Sequence, residues 1–253
     1  MPSLRPLAWA LLALLLLAGA AAATEPPGAR DLPPSEGEPG FERPWKVTTT
    51  FLRNEESSAL DVNVRRKLGP AIVWIGGFLS GADRSQARLG AEWDLQAPGL
   101  LVAPAAQAGT NGSLGGQLYA EAGGDLYAIL GAGRTNARDV VNLTFDPNDC
   151  WQLGAGWKLA HGDRLYGYVV WDARYGTGQQ VSHLFLRHWF APGRRLTLDA
   201  SWKSGHGDGD EYVRGWGLSA TWDGPSWFVR GAYDQHANFQ PSNMVRVAFG
   251  GRF

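Results

Sequence analysis

Ser182, His183 and His188 are the residues of this chain whose types come nearest to a hydrolytic centre. A serine nucleophile needs a histidine base within hydrogen-bond reach and a carboxylate or amide that orients that base. All three fall in one short alternating segment, read as a β-strand over 179–190. Successive side chains of a strand point to opposite faces. Ser182 and His188 therefore share a face with Leu184, Leu186 and Phe190, and His183 projects from the other. The shared face is apolar, so chemistry there would act on lipid, and no orienting carboxylate is evident on it. A histidine at a lipid–water boundary, beside Trp189 and Phe190, accounts for His188 without catalysis.

A second constellation is Gly205-His206-Gly207-Asp208-Gly209-Asp210-Glu211, followed by Asp234 and His236. It holds the residue types of paired-acid and histidine proteolysis. Asp208, Asp210 and Glu211 also supply oxygen ligands of the kind calcium takes, although the EF-hand spacing is absent. Solvation of a glycine-rich loop explains the same residues. Asp146-Pro147-Asn148-Asp149 reads as a turn leading into the strand at Cys150, with no chemistry assigned to it. Cys150 is a single cysteine and cannot form an internal disulfide, which leaves a small residue at a strand edge or a reactive thiol. No zinc spacing occurs, and no phosphate-binding glycine motif sits between a strand and a helix. No catalytic residue, cofactor or metal is therefore assigned, and enzymatic activity is not expected.

The elements that would position these residues are strands throughout. Residues 1–23 form an export signal: Arg5, the apolar run Leu7 to Leu17, then Ala21-Ala22-Ala23 before a cleavage site. No cysteine follows for a lipid anchor. Residues 24–44 are rich in Pro, Glu and Gly, lack an apolar period, and read as a flexible tail. From residue 45 to 253 the chain breaks into short alternating segments near 45–53, 58–66, 70–79, 86–95, 100–108, 113–122, 125–134, 150–160, 163–174, 179–190, 195–204, 212–222, 226–235 and 243–253. The count is about fourteen, or twelve if one hairpin is merged. The connections sort by length. Compact turns such as Lys67-Leu68-Gly69, Gly123-Gly124 and Asp223-Gly224-Pro225 alternate with longer ones such as Thr135 to Asp149 and Gln235 to Ser242. Thr135 to Asp149 is the longest and has the length to fold inward.

The two faces differ in kind. One carries Trp151, Leu153 and Trp157, then Leu165, Val169 and Trp171, Leu196, Leu198 and Trp202, and Trp216, Leu218 and Trp222. The other carries Arg65, Arg88, Glu92, Glu121, Lys158, Asp172, Arg187, Asp199, Lys203, Arg230, Arg246 and Arg252, with Asp61 and Asp234 among them. So many charges are prohibitive in a dry core and tolerable facing water. Trp74 and Phe78 lie in a segment whose parity stays open. With 23 basic against 24 acidic residues, nothing favours nucleic acid as a partner.

The final segment, Met244 to Phe253, alternates and stops on an aromatic residue. It resembles the C-terminal signal strand of Gram-negative outer-membrane β-barrels. With the export signal and the even strand count, residues 45–253 resemble that class as a whole, porin-like, with no specific family singled out. The resemblance implies an antiparallel up-and-down transmembrane barrel. It also implies export to the outer membrane, insertion by the barrel assembly machinery through the strand ending at Phe253, and contact with outer-membrane lipid and lipopolysaccharide. A Ser and a His facing lipid are similar in general placement to those of barrel phospholipases and lipid A deacylases, without a matching motif. The function expected first is a channel for passive diffusion of small hydrophilic solutes. If Arg187, Arg230, Arg246 and Arg252 form a cationic wall, it favours anions; if they neutralise neighbouring carboxylates, it does not. A lipid-modifying hydrolase and a non-conducting structural or adhesive barrel are the alternatives.

Overall fold

A computed structural model describes residues 43–253, apart from 82–84, 137, 139–140, 175 and 208. The expected signal (1–23) and nearly all of the expected tail (24–44) lie outside the described residues.

Alternation of apolar and polar side chains leaves each segment one face that wants lipid and one that wants water, and closing the sheet satisfies both. Fourteen strands do so: β1 (Trp45–Arg53), β2 (Ser58–Leu68), β3 (Ala71–Leu79), β4 (Gln86–Trp93, resumed as Leu95–Ala97 after Asp94) and β5 (Leu100–Gly109). They continue as β6 (Leu114–Gly123), β7 (Leu126–Thr135), β8 (Cys150–Lys158), β9 (Arg164–Asp172) and β10 (Gln180–Ala191). The last are β11 (Arg194–His206), β12 (Tyr212–Asp223), β13 (Trp227–Asp234) and β14 (Met244–Arg252). Every strand pairs antiparallel with its neighbours in sequence, and β1 pairs with β14, Lys46 opposite Arg252 and Phe51 opposite Val247. Trp45 and Phe253 complete the seam, each donating its N–H to the other's carbonyl at 3.0 Å. No strand edge remains, which removes the pairing hazard of an open sheet. The expected strands are all present. The fourth runs two residues further than the expected 86–95, which leaves Pro98-Gly99 as the turn into the fifth.

An even strand number puts both chain ends on one rim, here the terminal rim. Its turns are tight, whereas the opposite, far rim carries the longer connections, including 136–149 and 235–243. The expected outward face is outward: Trp151, Trp157, Leu184, Trp202, Leu218 and Phe249 are all exposed on the isolated chain. An apolar belt of this kind suits hydrocarbon, where a Lys or Arg at mid-depth would cost about 2–4 kcal/mol. In β3 the parity resolves with Ile72, Trp74 and Phe78 turned inward.

The interior is not uniformly wet. Ala103, Tyr119, Tyr127, Ile129, Tyr166, Tyr168 and Phe185 form a buried cluster on the inner face of β5–β10. Tyr166 and Phe185 stack with centroids 4.6 Å apart. Tyrosine fills volume while keeping a hydroxyl for polar neighbours, and Tyr119 donates to Glu121 at 2.8 Å. Inner-face glycines make room for these rings. At Gly156 a Cβ would stand 2.2 Å from the Tyr127 ring.

Candidate functional site

The expected inward charges do face inward, and most are partnered across strands. Arg88 meets Asp61, Arg65 meets Glu92 at 2.7 Å, and Arg246 meets Asp234 at 2.6 Å. Asp223 accepts from Arg195 (2.9 Å) and from Arg252 (2.5 Å). Arg164 lies 4.0 Å from Glu121. Arg230 donates to Thr221 at 2.7 Å, and Arg187 is 0% exposed. Asp172 sits at the far rim, where it holds Arg174 (2.7 Å) and Thr177 (2.8 Å). Lys158 lies at the terminal rim over the Tyr127 ring. Arg246 and Arg252 thus neutralise carboxylates, Arg187 is buried and Arg230 is held by Thr221, so the four do not form an open cationic wall. Interleaved sequence signs allowed either outcome; register decided it, because Asp234 stands beside Arg246 on the neighbouring strand and Arg252 reaches Asp223 across β13.

Within the connection 136–149, the described run 141–149 folds inward. Leu143 and Phe145 are buried with Leu52 and Ala237, and Phe78 and Met244 pack against the group. Arg246 donates to the Leu143 carbonyl. Phe145 lies under two cations, the Arg246 guanidinium at 4.4 Å and the Lys203 ammonium at 5.8 Å from its ring centre. Cation–π contacts of this kind are worth about 0.5–2 kcal/mol each. Asp146 reaches His183 Nε2 at 3.0 Å, and Asp199 holds the other ring nitrogen at 3.0 Å. The Val141 N–H donates to Gln86 Oε1 at 3.0 Å. At its root, Asp149 accepts from the Thr135 N–H (2.7 Å) and hydroxyl (2.9 Å). Phe145 has φ of 67°, a left-handed backbone that costs a non-glycine residue about 1–3 kcal/mol and persists only when its surroundings impose it. The sequence assigned no chemistry to Asp146, yet it is the residue that ties this segment to the barrel wall. The missing signal was His183: its inward parity was legible, but its partner lay 37 residues away.

On the opposite side of the segment a cavity remains against β3–β7. Trp74, Arg88, Glu92, Gln107, Gln117, Asn142 and Asn148 line it.

The candidate catalytic residues do not assemble. Ser182 and His188 are six positions apart on one strand, about 20 Å at about 3.3 Å per residue. His188 does have a carboxylate, contrary to expectation: Asp163 of the terminal-rim turn lies 2.6 Å from its Nδ1. That carboxylate also accepts the Trp189 N–H at 2.9 Å, so the pair anchors the turn, and Ser182 stands near the far rim. Asp163 titrates below its ordinary value of 3.8: burial alone would raise it, and the hydrogen bonds from His188 and Trp189 outweigh that. In the glycine-rich loop Asp208 lies outside the described residues. Asp210 is 93% exposed and meets His206 at 3.1 Å. Glu211 is exposed, Asp234 is engaged by Arg246, and the His236 Nδ1 lies 3.2 Å from the Gln240 carbonyl. No group of three metal-ligating side chains occurs among the described residues. Cys150 is buried at the start of β8.

No protein-family model and no curated protein matches the sequence. Solved structures share its shape. The outer membrane protein Omp33 of Acinetobacter baumannii superposes with a TM-score of 0.57 at 12% identity, covering 85% of this chain and 100% of its own. The NanC porin gives 0.46 at 8% identity, covering 83% and 100%. The KdgM porin gives 0.46 at 9%, covering 82% and 99%. The likeness to Omp33 shows the fold, a closed fourteen-stranded antiparallel barrel.

Proposed function

We propose that this chain is an outer-membrane channel through which small hydrophilic solutes diffuse. The observation that carries this reading is the inward connection 136–149. It narrows a lumen of paired charges and borders a polar cavity against β3–β7. A constriction held by named contacts regulates passage, whereas a barrel with no transport role has no use for one. The apolar belt supports residence in a bilayer, and the segment 1–23 supports export to reach it. The strand ending at Phe253 supports insertion by the barrel assembly machinery, with outer-membrane lipid and lipopolysaccharide around the belt.

Selectivity between ions is weak in this reading. Arg246 and Arg252 are matched by Asp234 and Asp223, and buried Arg187 does not reach a solute. The test is conductance of the refolded chain in a planar bilayer under a salt gradient. We expect small stable steps and a reversal potential close to zero. Silence from folded protein would overturn the channel. It would favour the non-conducting structural barrel, which the buried cluster around Tyr166 and Phe185 supports.

A further inference from the structure

Most polar groups of this interior are already used by one another. The cavity against β3–β7 differs. Gln107 projects from β5 and Gln117 from β6, and Asn148 belongs to the inward segment. All three line the cavity, and their side-chain amides make no hydrogen bond to a described residue. Arg88 and Glu92 also reach it, but each is neutralised outside the cavity, by Asp61 and Arg65 respectively. Arg134 lines it as well, 74% exposed and 3.9 Å from Asp149, so the lining is rich in unengaged donors and acceptors and each of its charges has an opposite partner.

Trp74 supplies the remaining character. It is 4% exposed, and its six-membered ring lies over Gly90, where a Cβ would stand 2.4 Å from the ring. Glycine at 90 thus lets the indole press against the wall and contribute an apolar surface to the cavity.

We infer that this cavity is a binding site for a neutral polyhydroxylated solute, a sugar, on its way through the barrel. A primary amide offers a donor and an acceptor side by side, which matches a pair of adjacent sugar hydroxyls. An indole offers an apolar surface to the C–H face of a sugar ring. An anion finds no uncompensated cation here, and an apolar solute would leave three amides without partners, a loss binding sites do not tolerate cheaply. The inference rests on the channel reading for its role in passage, but the site itself can be tested apart from conduction.

The test is saturation-transfer NMR on the full chain folded in deuterated detergent micelles, with glucose as probe and acetate as comparator. We expect transfer to glucose ring protons and none to acetate. The Gln107→Ala/Gln117→Ala variant, its barrel verified by circular dichroism, should bind glucose about tenfold more weakly. Trp74→Leu should weaken transfer to the C–H face in a barrel whose amides are intact. Absence of transfer from folded wild type, equal transfer from the amide variant, or transfer to acetate alone would each overturn the site. Conductance without glucose binding would leave the channel standing and remove the sugar. Glucose binding without conductance would retain the site and remove the channel.

Discussion

Asp163 shows how one side chain in a turn can set an element's pH response. Its folded titration lies below the ordinary 3.8, so the tie to His188 and Trp189 stabilises fully above that value and is lost as pH falls through the lower, folded one. The protection factor of the Trp189 amide, its rate relative to intrinsic exchange at the same pH, should therefore fall in acid, below the usual carboxylate range, and His188→Ala should reduce that protection already at neutral pH. An unchanged Trp189 protection factor in both conditions would show that the strand alone holds the turn. Gly90 makes a second residue-scale case. A methyl group there meets Trp74 at 2.4 Å and the Ala106 carbonyl at 2.5 Å. Gly90→Ala should cost about 1–3 kcal/mol in urea unfolding and shift Trp74 off the wall. At this scale the sequence was only half legible. Period-two alternation placed Arg246 and Asp234 on the inner face, but which cation meets which anion depends on register, and register is a pairing of distant segments. The β3 segment was opaque because Ile72, Val73, Trp74 and Ile75 are all apolar and erase the alternation.

At the scale of elements, the inward connection is the part that folds by tertiary contact alone. It has no strand ladder of its own, and it stays in place through Asp146 with His183, Phe145 under Arg246 and Lys203, and Leu143 against Leu52. Limited proteolysis should therefore spare residues 141–149 in the wild type and cut them in His183→Ala, with the barrel intact in both. Cleavage of the wild type at that segment would contradict the packing described. Its length was legible, since fourteen residues between strands is long beside its neighbours. It could not give the landing place. An Asp-Pro-Asn-Asp run looks like any solvated turn until an inward histidine stands opposite it. Strand positions, by contrast, were readable throughout, because bounding turns mark each strand and alternation marks the faces of most, β3 excepted.

At the scale of the whole molecule, closure concentrates its demand on the seam between first and last strands. Asp223, Arg195 and Arg252 form a buried triad beside that seam, at the terminal rim. Removing the carboxylate leaves two guanidinium groups without it in a low-dielectric site, a change of about 3–5 kcal/mol. Asp223→Ala should lower the urea midpoint accordingly, whereas a variant on the lipid face such as Val247→Leu should leave it nearly unchanged. Equal midpoints for Asp223→Ala and wild type would place the seam's stability in its backbone ladder alone. The barrel itself was legible from strand count, loop sorting and facial contrast. The partial filling of its interior was not, because tyrosines on an inward parity look the same whether they line water or pack together.

The central claim is that the inward connection narrows a conducting barrel. Single-channel conductance of the wild type and of Phe145→Ala/Asp146→Ala in the same bilayer tests it most directly. Both substitutions lie off the wall and remove the segment's ties to His183 and Lys203 and its ring contact with Arg246. The wild type should give small quiet steps, and the variant steps severalfold larger and noisier. Identical steps would contradict a constriction at this segment, and silence from both folded proteins would contradict the channel.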